Sequence, residues 1–249
     1  MKNLIRTISI RIIYFIIRIF NNPFEEGNLN NVLVLAPHPD DEILGLGGFL
    51  LRVKNHGGRI HVVYLTDGEN SNVWPDNEEI RNNRIKLSEE VLKNFEQTTL
   101  KITRLHLPDG EVPHSGHEGF EDCVRAVMHI IVTEKPEAVF ATHALDFWPY
   151  DHVACAEIAI EAIQRSNHKT QLWYYWVWAW YNVRPWNIFS KEFRHLRRID
   201  NSGQLTEKNR LMAVYLDSYT PDGKPWSGVL PAPLLKAFEF PFEIVERII

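Results

Sequence analysis

The chain has 249 residues, of which 45% are hydrophobic and 24% charged, and it carries a formal net charge of −5 at pH 7. That balance excludes a disordered polymer and argues against a general nucleic-acid binder, which needs clustered Lys and Arg to neutralise phosphates. Two cysteines, Cys123 and Cys155, supply neither a disulfide framework nor a cysteine-based zinc module, so the reducing cytosol is the expected compartment. The length suits one catalytic-sized domain with short appendages.

Residues 1–22 stand apart. LIRTISIRIIYFIIRIF, Leu4 to Phe20, is strongly apolar but interrupted by Arg6, Arg11 and Arg18. Its longest apolar stretch, Ile12 to Ile17, is too short to span a bilayer. On a helical wheel Thr7, Arg11, Arg18 and Asn21 fall near one line, with Ile5, Ile12, Ile16, Ile19 and Phe20 across from it and Arg6 off it. The pattern suits an amphipathic helix in the interface of a membrane, at its cytoplasmic face. The alternative is a helix packed on the domain's own surface or on a partner's. No small-residue cleavage site precedes Asn21-Asn22-Pro23, so a cleaved signal peptide is not expected.

From residue 31 to 249 a single domain is expected. Val32 to Ala36 reads as a buried strand, Ile43 to Asn55 as a helix and Ile60 to Thr66 as a second strand. Glu78 to Phe95 follows as a charged helix, Lys101 to Leu107 as a third strand, Gly119 to Thr133 as a helix and Ala138 to Thr142 as a fourth strand. Asp151 to Arg165 reads as a helix with Asp151 placed to cap it. The aromatic run LWYYWVWAWYNVRPW after Gln171 reads as a strand covered on both faces. Alternation of this kind predicts a Rossmann-like α/β fold, a mostly parallel sheet with helices on both faces and ligands beyond the carboxyl ends of the strands.

The polar loops fall on that rim. PHPDDE, Pro37 to Glu42, follows the first strand, TDGE, Thr66 to Glu69, the second, LPDGE, Leu107 to Glu111, the third, and His143 the fourth. Zinc sites in enzymes usually offer three His or carboxylate ligands and one open position. His38 and Asp41 supply two from one tight loop, and His152 is the best distant third. Asp40 is then free to act as a general base beside a metal that brings the pKa of water to about 7. The competing reading is a capping cluster in which Asp40 or Asp41 accepts hydrogen bonds from the first turn of the following helix. Three consecutive acids repel one another without a compensating cation, which favours the metal.

APHPDDEILGLGG, Ala36 to Gly48, with TDGE, LPDGE and Asp151-His152, resembles the zinc-dependent N-deacetylase family typified by PIG-L and LmbE. The likeness runs over roughly Asn31 to Ala162, with weaker similarity in Arg197 to Tyr219. It implies a metal-dependent hydrolase that removes the acetyl group from N-acetylhexosamine units of a glycan or glycoconjugate, a lipid-linked one included. It further implies zinc, or another divalent metal, on His38, Asp41 and His152, with Asp40 as base and Asp151 orienting the site. Asp109 and an arginine of the RNNR segment, Arg81 more than Arg84, resemble positions that touch the sugar. Family members commonly carry a histidine three residues before the last ligand; here Pro149 stands there, leaving His143, Tyr150 or a protonated Asp40 to serve the oxyanion or the leaving amine. That departure motivates an alternative, a catalytically weakened sugar-binding or scaffolding member; an amidase for a different small amide is a third reading.

Other signals are read as structural. Gly45, Gly47 and Gly48 lack the spacing of a dinucleotide fingerprint and read as close helix packing. His114 and His117 read as solvated rather than a second metal pair, and Cys155 as a packing residue.

Overall fold

The computed structural model describes residues 2–25, 29–71, 74–95, 100–148, 150–189, 193 and 195–249. Chain order begins with α1 (Lys2–Phe20), β1 (Asn22–Pro23), β2 (Asn31–Ala36), α2 (Asp41–Asn55), β3 (Arg59–Thr66), α3 (Asn77–Leu92) and β4 (Leu100–Leu107). It continues through α4 (Phe120–Glu134), β5 (Ala138–Thr142), α5 (Tyr150–Ser166), β6 (Gln171–Tyr175), the short α6 (Ala179–Asn182) and a 3₁₀ turn (Pro185–Phe189). β7 (Leu196–Asp200), α7 (Leu205–Leu216), α8 (Ala232–Phe238) and β8 (Phe242–Arg247) complete it.

Among the described residues the strands form one sheet in the order β1-β7-β8-β6-β5-β2-β3-β4. β6, β5, β2, β3 and β4 run parallel, whereas β8 is antiparallel to both β6 and β7. Alternate residues of β2 serve opposite faces, as the two-residue period of a strand requires. Val32 and Val34 join the core beneath α2, α3 and α7, while Leu33 and Leu35 join the core beneath α4 and α5. After β2 the chain adds β3 and β4 on one side and then returns to lay β5 and β6 on the other. The order therefore reverses between β2 and β5, and a crevice opens at their carboxyl ends.

The glycines of α2 allow the approach that sets this crevice. A Cβ on Gly45 would lie 2.3 Å from the Tyr175 ring, and one on Gly48 would lie 2.4 Å from Cβ of Asn201. The Gly48 and Phe49 amides donate to Glu243 at 2.7 and 2.9 Å. Glu243 in turn pairs with buried Lys208 at 2.7 Å, whose ammonium also donates to the Leu44 carbonyl at 3.0 Å. Helix α2, which begins with Asp41 and Glu42, is thereby fastened to β8 and α7.

Two expectations are corrected. The aromatic run is not one strand: only Gln171–Tyr175 is extended, after which the Trp178 amide turns to donate to Asp146 and the chain coils through α6. Asp151 does not cap its helix; it sits in the first turn of α5 and its carboxylate reaches away, accepting from the Gly110 and Val112 amides at 2.7 and 3.1 Å.

Helix α1 lies on the domain. Ile10, Ile13 and Ile17 are buried against α8 and the 3₁₀ turn, Arg6 donates to the Tyr181 carbonyl at 2.7 Å and Arg198 donates to the Arg18 carbonyl at 2.7 Å. Leu4, Ile5, Ile8, Ile12, Phe15, Ile19 and Phe20 remain exposed. No described helix is long and apolar enough to cross a membrane.

Replacing Gly48 by Ala forces Cβ into Asn201, and overpacking of this kind costs about 1–3 kcal/mol. Equilibrium urea unfolding of Gly48→Ala is expected to show a lowered midpoint with an unchanged slope.

Candidate metal centre and active-site cleft

The loop after β2 is held before it does any chemistry. The Pro37 carbonyl accepts from both the amide and the hydroxyl of Thr66, at 3.0 and 2.9 Å, which ties the ends of β2 and β3 together. Asp41 turns back rather than capping α2, its Oδ2 accepting the His38 amide at 3.0 Å and lying 3.2 Å from His38 Nδ1. Asp40 occupies the N-cap position but makes no side-chain capping bond. The capping reading therefore does not describe what either carboxylate does.

The two ring nitrogens of His38 face different partners. Nε2 lies 3.1 Å from Asp109 Oδ1 and 3.2 Å from Asp151 Oδ2, so two carboxylates compete for its proton and Nδ1 is left toward Asp41. His152 shows the same division: Nδ1 is 3.0 Å from Asp146 Oδ2, and Nε2 is 3.3 Å from Asp41 Oδ2. Although His152 is fully buried, its Nε2 makes no hydrogen bond. A buried imidazole nitrogen without a hydrogen bond, its other nitrogen fixed by a carboxylate, is the arrangement of a metal ligand.

Among the described residues two groups bring ligand atoms within 4.8 Å of one another, His38 with Asp41 and His152, and His38 with Asp109 and Asp151. The second is already satisfied, because Asp151 accepts two backbone amides and Asp109 Oδ2 accepts the Asn70 amide at 2.7 Å. The first retains the orphaned nitrogen, and its two imidazoles and one carboxylate suit a divalent metal such as zinc.

Electrostatics agree with that choice. Burial opposes ionisation of Asp41, but His152 and His38 outweigh it and hold the carboxyl below its ordinary range. Burial also opposes charge on His152, yet Asp41 and Asp146 prevail and lift the imidazole to about 9. Asp40 behaves in the opposite sense: burial raises its carboxyl to about 8, against the pull of the Arg84 guanidinium and with repulsion from Asp41. Neighbouring carboxyls are thus pushed apart, the division of roles that acid and base chemistry needs.

These groups floor a cleft of about 360 Å³ lined by His38, Asp40, Asp41, Arg84, Asp109 and His152, with Trp148, Tyr150, Trp178 and Val229 also on its walls. Arg84 is buried and donates to Asp40 Oδ2 at 3.1 Å and to the Pro39 carbonyl at 2.6 Å. Arg81 is outside the lining, its guanidinium bonded to Glu69 at 3.0 Å. His143 is also outside it, with Nε2 2.6 Å from Glu246 and Nδ1 accepting the Leu145 amide at 2.9 Å. Asp151 lies behind the cleft against His38, and Tyr150 lines the wall; Pro149 falls outside the described residues. His114 pairs with Glu157 at 3.3 Å and, with His117, belongs to neither metal-capable group. Burial pushes the Cys155 thiol up to about 12, as suits a packing residue.

Sequence reasoning missed Asp146, the carboxylate that fixes His152. A buried histidine ligand generally needs such a partner, and the acid in the loop between His143 and His152 is the one signal that pointed to it.

Fold and site together define a Rossmann-like α/β protein whose switch-point cleft carries a buried two-histidine, one-carboxylate donor set. The family model for GlcNAc-PI de-N-acetylase, PIG-L, matches residues 33–163, more than half the chain, and the chain belongs to that family. It is 28% identical over 151 residues to the diacetylchitobiose deacetylase of Thermococcus kodakarensis, a match covering 57% of this chain and about half, 52%, of the relative's length. In fold it is similar to N,N'-diacetylchitobiose deacetylase from Pyrococcus horikoshii, with a TM-score of 0.61 and 21% identity over 80% of this chain and 76% of the other. The 4-carboxy-2-hydroxymuconate hydratase GalB from Pseudomonas putida shares the fold too, at TM-score 0.56 and 16% identity over 74% and 77% of the two chains.

Asp40 adopts φ 131° and ψ −30°, a region that costs an L-residue about 1–3 kcal/mol. Asp40→Gly and Asp40→Ala both remove the carboxylate but only the first removes the clash of Cβ. After the larger unfolded-state entropy of glycine is deducted, the Gly variant is expected to be more stable than the Ala variant by about 1 kcal/mol, read from denaturant unfolding of the metal-free proteins.

Proposed function

We propose that the protein is a metal-dependent amide hydrolase that removes the N-acetyl group from an N-acetylhexosamine-containing glycan or glycoconjugate. The observation that carries this reading is the convergence of His38 Nδ1, Asp41 Oδ2 and the orphaned His152 Nε2 on the cleft floor, with the Asp40 carboxyl beside them. A divalent metal on those three residues would polarise an amide carbonyl and lower the pKa of water. Asp40 then takes a proton from the attacking water and returns it to the departing nitrogen, so that the C–N bond breaks to give acetate and an amine. Arg84 draws the Asp40 pKa down, and a nearby cation adds to that pull, which frees the carboxylate to act as base near neutrality. In this reading Asp151 orients His38 through its Nε2, and Asp109 and Arg84, which line the cleft, meet the sugar. Arg81 and His143 are left out of the assignment because their side chains are engaged by Glu69 and Glu246.

Metal content and acetate release from N-acetylglucosaminyl substrates test the reading. Wild type is expected to bind about one zinc per chain and release acetate, and Asp40→Asn to keep the zinc while kcat falls about 10²-fold or more. A zinc-loaded wild type without turnover on a broad panel would favour the sugar-binding or scaffolding reading instead.

We infer in addition that α1 holds the chain at an anionic membrane surface, the cytoplasmic face being the site of a lipid-linked substrate. Support comes from the exposed stripe of Leu4, Ile8, Ile12, Phe15 and Ile19, flanked by exposed Arg11 and Arg18 in a helix with no acidic residue. Apolar burial and basic charge are what interfacial helices combine. The full chain is expected to co-sediment with phosphatidylcholine vesicles containing phosphatidylglycerol, and Ile12→Glu/Phe15→Glu, altered only at exposed positions, to lose that binding. Equal sedimentation of both proteins would overturn the inference.

A further inference from the structure

We propose that Tyr215, acting through Glu42, is a positioning residue that sets the backbone angle of Asp40 and so aims its carboxyl into the cleft. The proposal rests on the reading of Asp40 as the base, but the anchoring can be measured without turnover. Strain such as that at Asp40 persists only where the surroundings over-determine it. The Asp40 amide donates to Glu42 Oε2 at 3.0 Å. On the other side of the same Cα, the Asp40 carbonyl accepts the Ile43 and Leu44 amides at 3.0 and 2.9 Å, the opening turn of α2. The angles φ and ψ are the rotations between those two anchors. Fixing the N–H at Glu42 and the C=O in the helix therefore fixes the direction of Cβ, which carries the carboxyl toward Arg84.

The anchor on the amide side is only as firm as Glu42. That residue is fully buried, and its second oxygen, Oε1, accepts the Tyr215 hydroxyl at 2.7 Å across 173 residues of chain. Both carboxylate oxygens are thus committed, one to Asp40 and one to Tyr215. Tyr215 is itself buried on α7, and its carbonyl accepts the hydroxyl of Ser227, which lines the cleft, at 2.8 Å. One residue outside the matched segment 33–163 therefore ties the proposed base to a wall of the cleft. Removal of its hydroxyl takes away the 2.7 Å bond that holds Glu42 Oε1 and leaves only the neighbouring Tyr64 hydroxyl beside that carboxyl, so the strained amide loses a firmly fixed acceptor.

Tyr215→Phe keeps the ring, and Glu42→Gln offers an amide oxygen to Asp40 and an N–H to the Tyr215 hydroxyl. Crystal structures of both variants, the zinc content of the full-length proteins, and kcat and KM for acetate release are the readouts. In Tyr215→Phe, Asp40 is expected to relax to negative φ, with kcat lowered about tenfold or more, KM within about twofold and zinc unchanged. Glu42→Gln is expected to keep the Asp40 angle and a kcat within about threefold of wild type. Positive φ at Asp40 in Tyr215→Phe, or a fall in its kcat matched by loss of zinc, would overturn the proposal. A Glu42→Gln protein in which Asp40 relaxes while Tyr215 stays in place would also overturn it, and this variant decides the question if Tyr215→Phe does not fold. Should wild type release no acetate, the assignment of activity fails, and the angle of Asp40 in the two variants still judges the anchoring.

Discussion

Among the described residues, eight carboxyl groups no more than 7% exposed, those of Asp40, Asp41, Glu42, Asp67, Glu69, Asp109, Asp146 and Asp151, crowd the carboxyl ends of the central strands. Taken out of water, like charges at this spacing can be kept only by partners for each of them, or by protons. The partners come from every side of the fold: His38 from the loop after β2, His152 from α5, Arg84 from α3, Tyr215 from α7, and backbone amides from the loop after β4. His38 is the hinge of this arrangement, since one ring nitrogen answers Asp41 and the other is shared by Asp109 and Asp151. The strand ends that deliver these groups are consequently held in one geometry, and the remaining deficit of positive charge is what makes a divalent cation fit.

The same requirement explains why α2 is fastened so firmly. Asp41 and Glu42 open that helix, so any sliding of α2 moves a proposed metal ligand and the acceptor for Asp40 together. Gly45 and Gly48 let α2 approach Tyr175 and Asn201 closely, and the buried Lys208–Glu243 pair pins its middle turns to α7 and β8. A buried ion pair contributes little net stability against a hydrophobic replacement but is costly to break by halves. Its effect here is to fix register between the helix and the far half of the sheet.

Much of this was legible along the chain, and what was not has a physical reason. The strand and helix periods of β2 to α5 could be read because each element buries one or two well-marked faces, so their positions agree to within a few residues. PHPDDE and the later Asp-His stood out because ionisable groups placed at strand ends are costly unless they are used. Contacts between distant segments leave no local period, which is why the Asp146 partner of His152 and the Tyr215 partner of Glu42 had no comparable signal. Arg81 and Arg84 lie one turn apart in a charged helix, and only packing separates the half-buried member from the buried one. In α1 apolar residues occupy nearly the whole circumference. The wheel therefore could not tell that Ile10, Ile13 and Ile17 would face the domain while the stripe through Ile8 and Ile12 stayed open.

Fold alone does not choose the reaction, since a hydratase shares this architecture with deacetylases. The choice lies in how the cleft treats its neighbouring acids. Asp41 is surrounded by imidazoles and stays ionised; Asp40, one residue away, has a guanidinium on one side and a desolvating wall on the other, and its carboxyl rises. Backbone direction sets that difference: φ 131° at Asp40 accompanies a carboxyl turned to Arg84, while Asp41, in the first turn of α2, turns back to His38. The unfavourable φ at Asp40 goes with a carboxyl turned to Arg84 rather than to the imidazoles around Asp41, and the stability it costs is offset by the bonds from Glu42, Arg84 and the first turn of α2. A strained residue and the proposed proton carrier are therefore the same residue, as expected where geometry that folding would not choose is kept for chemistry.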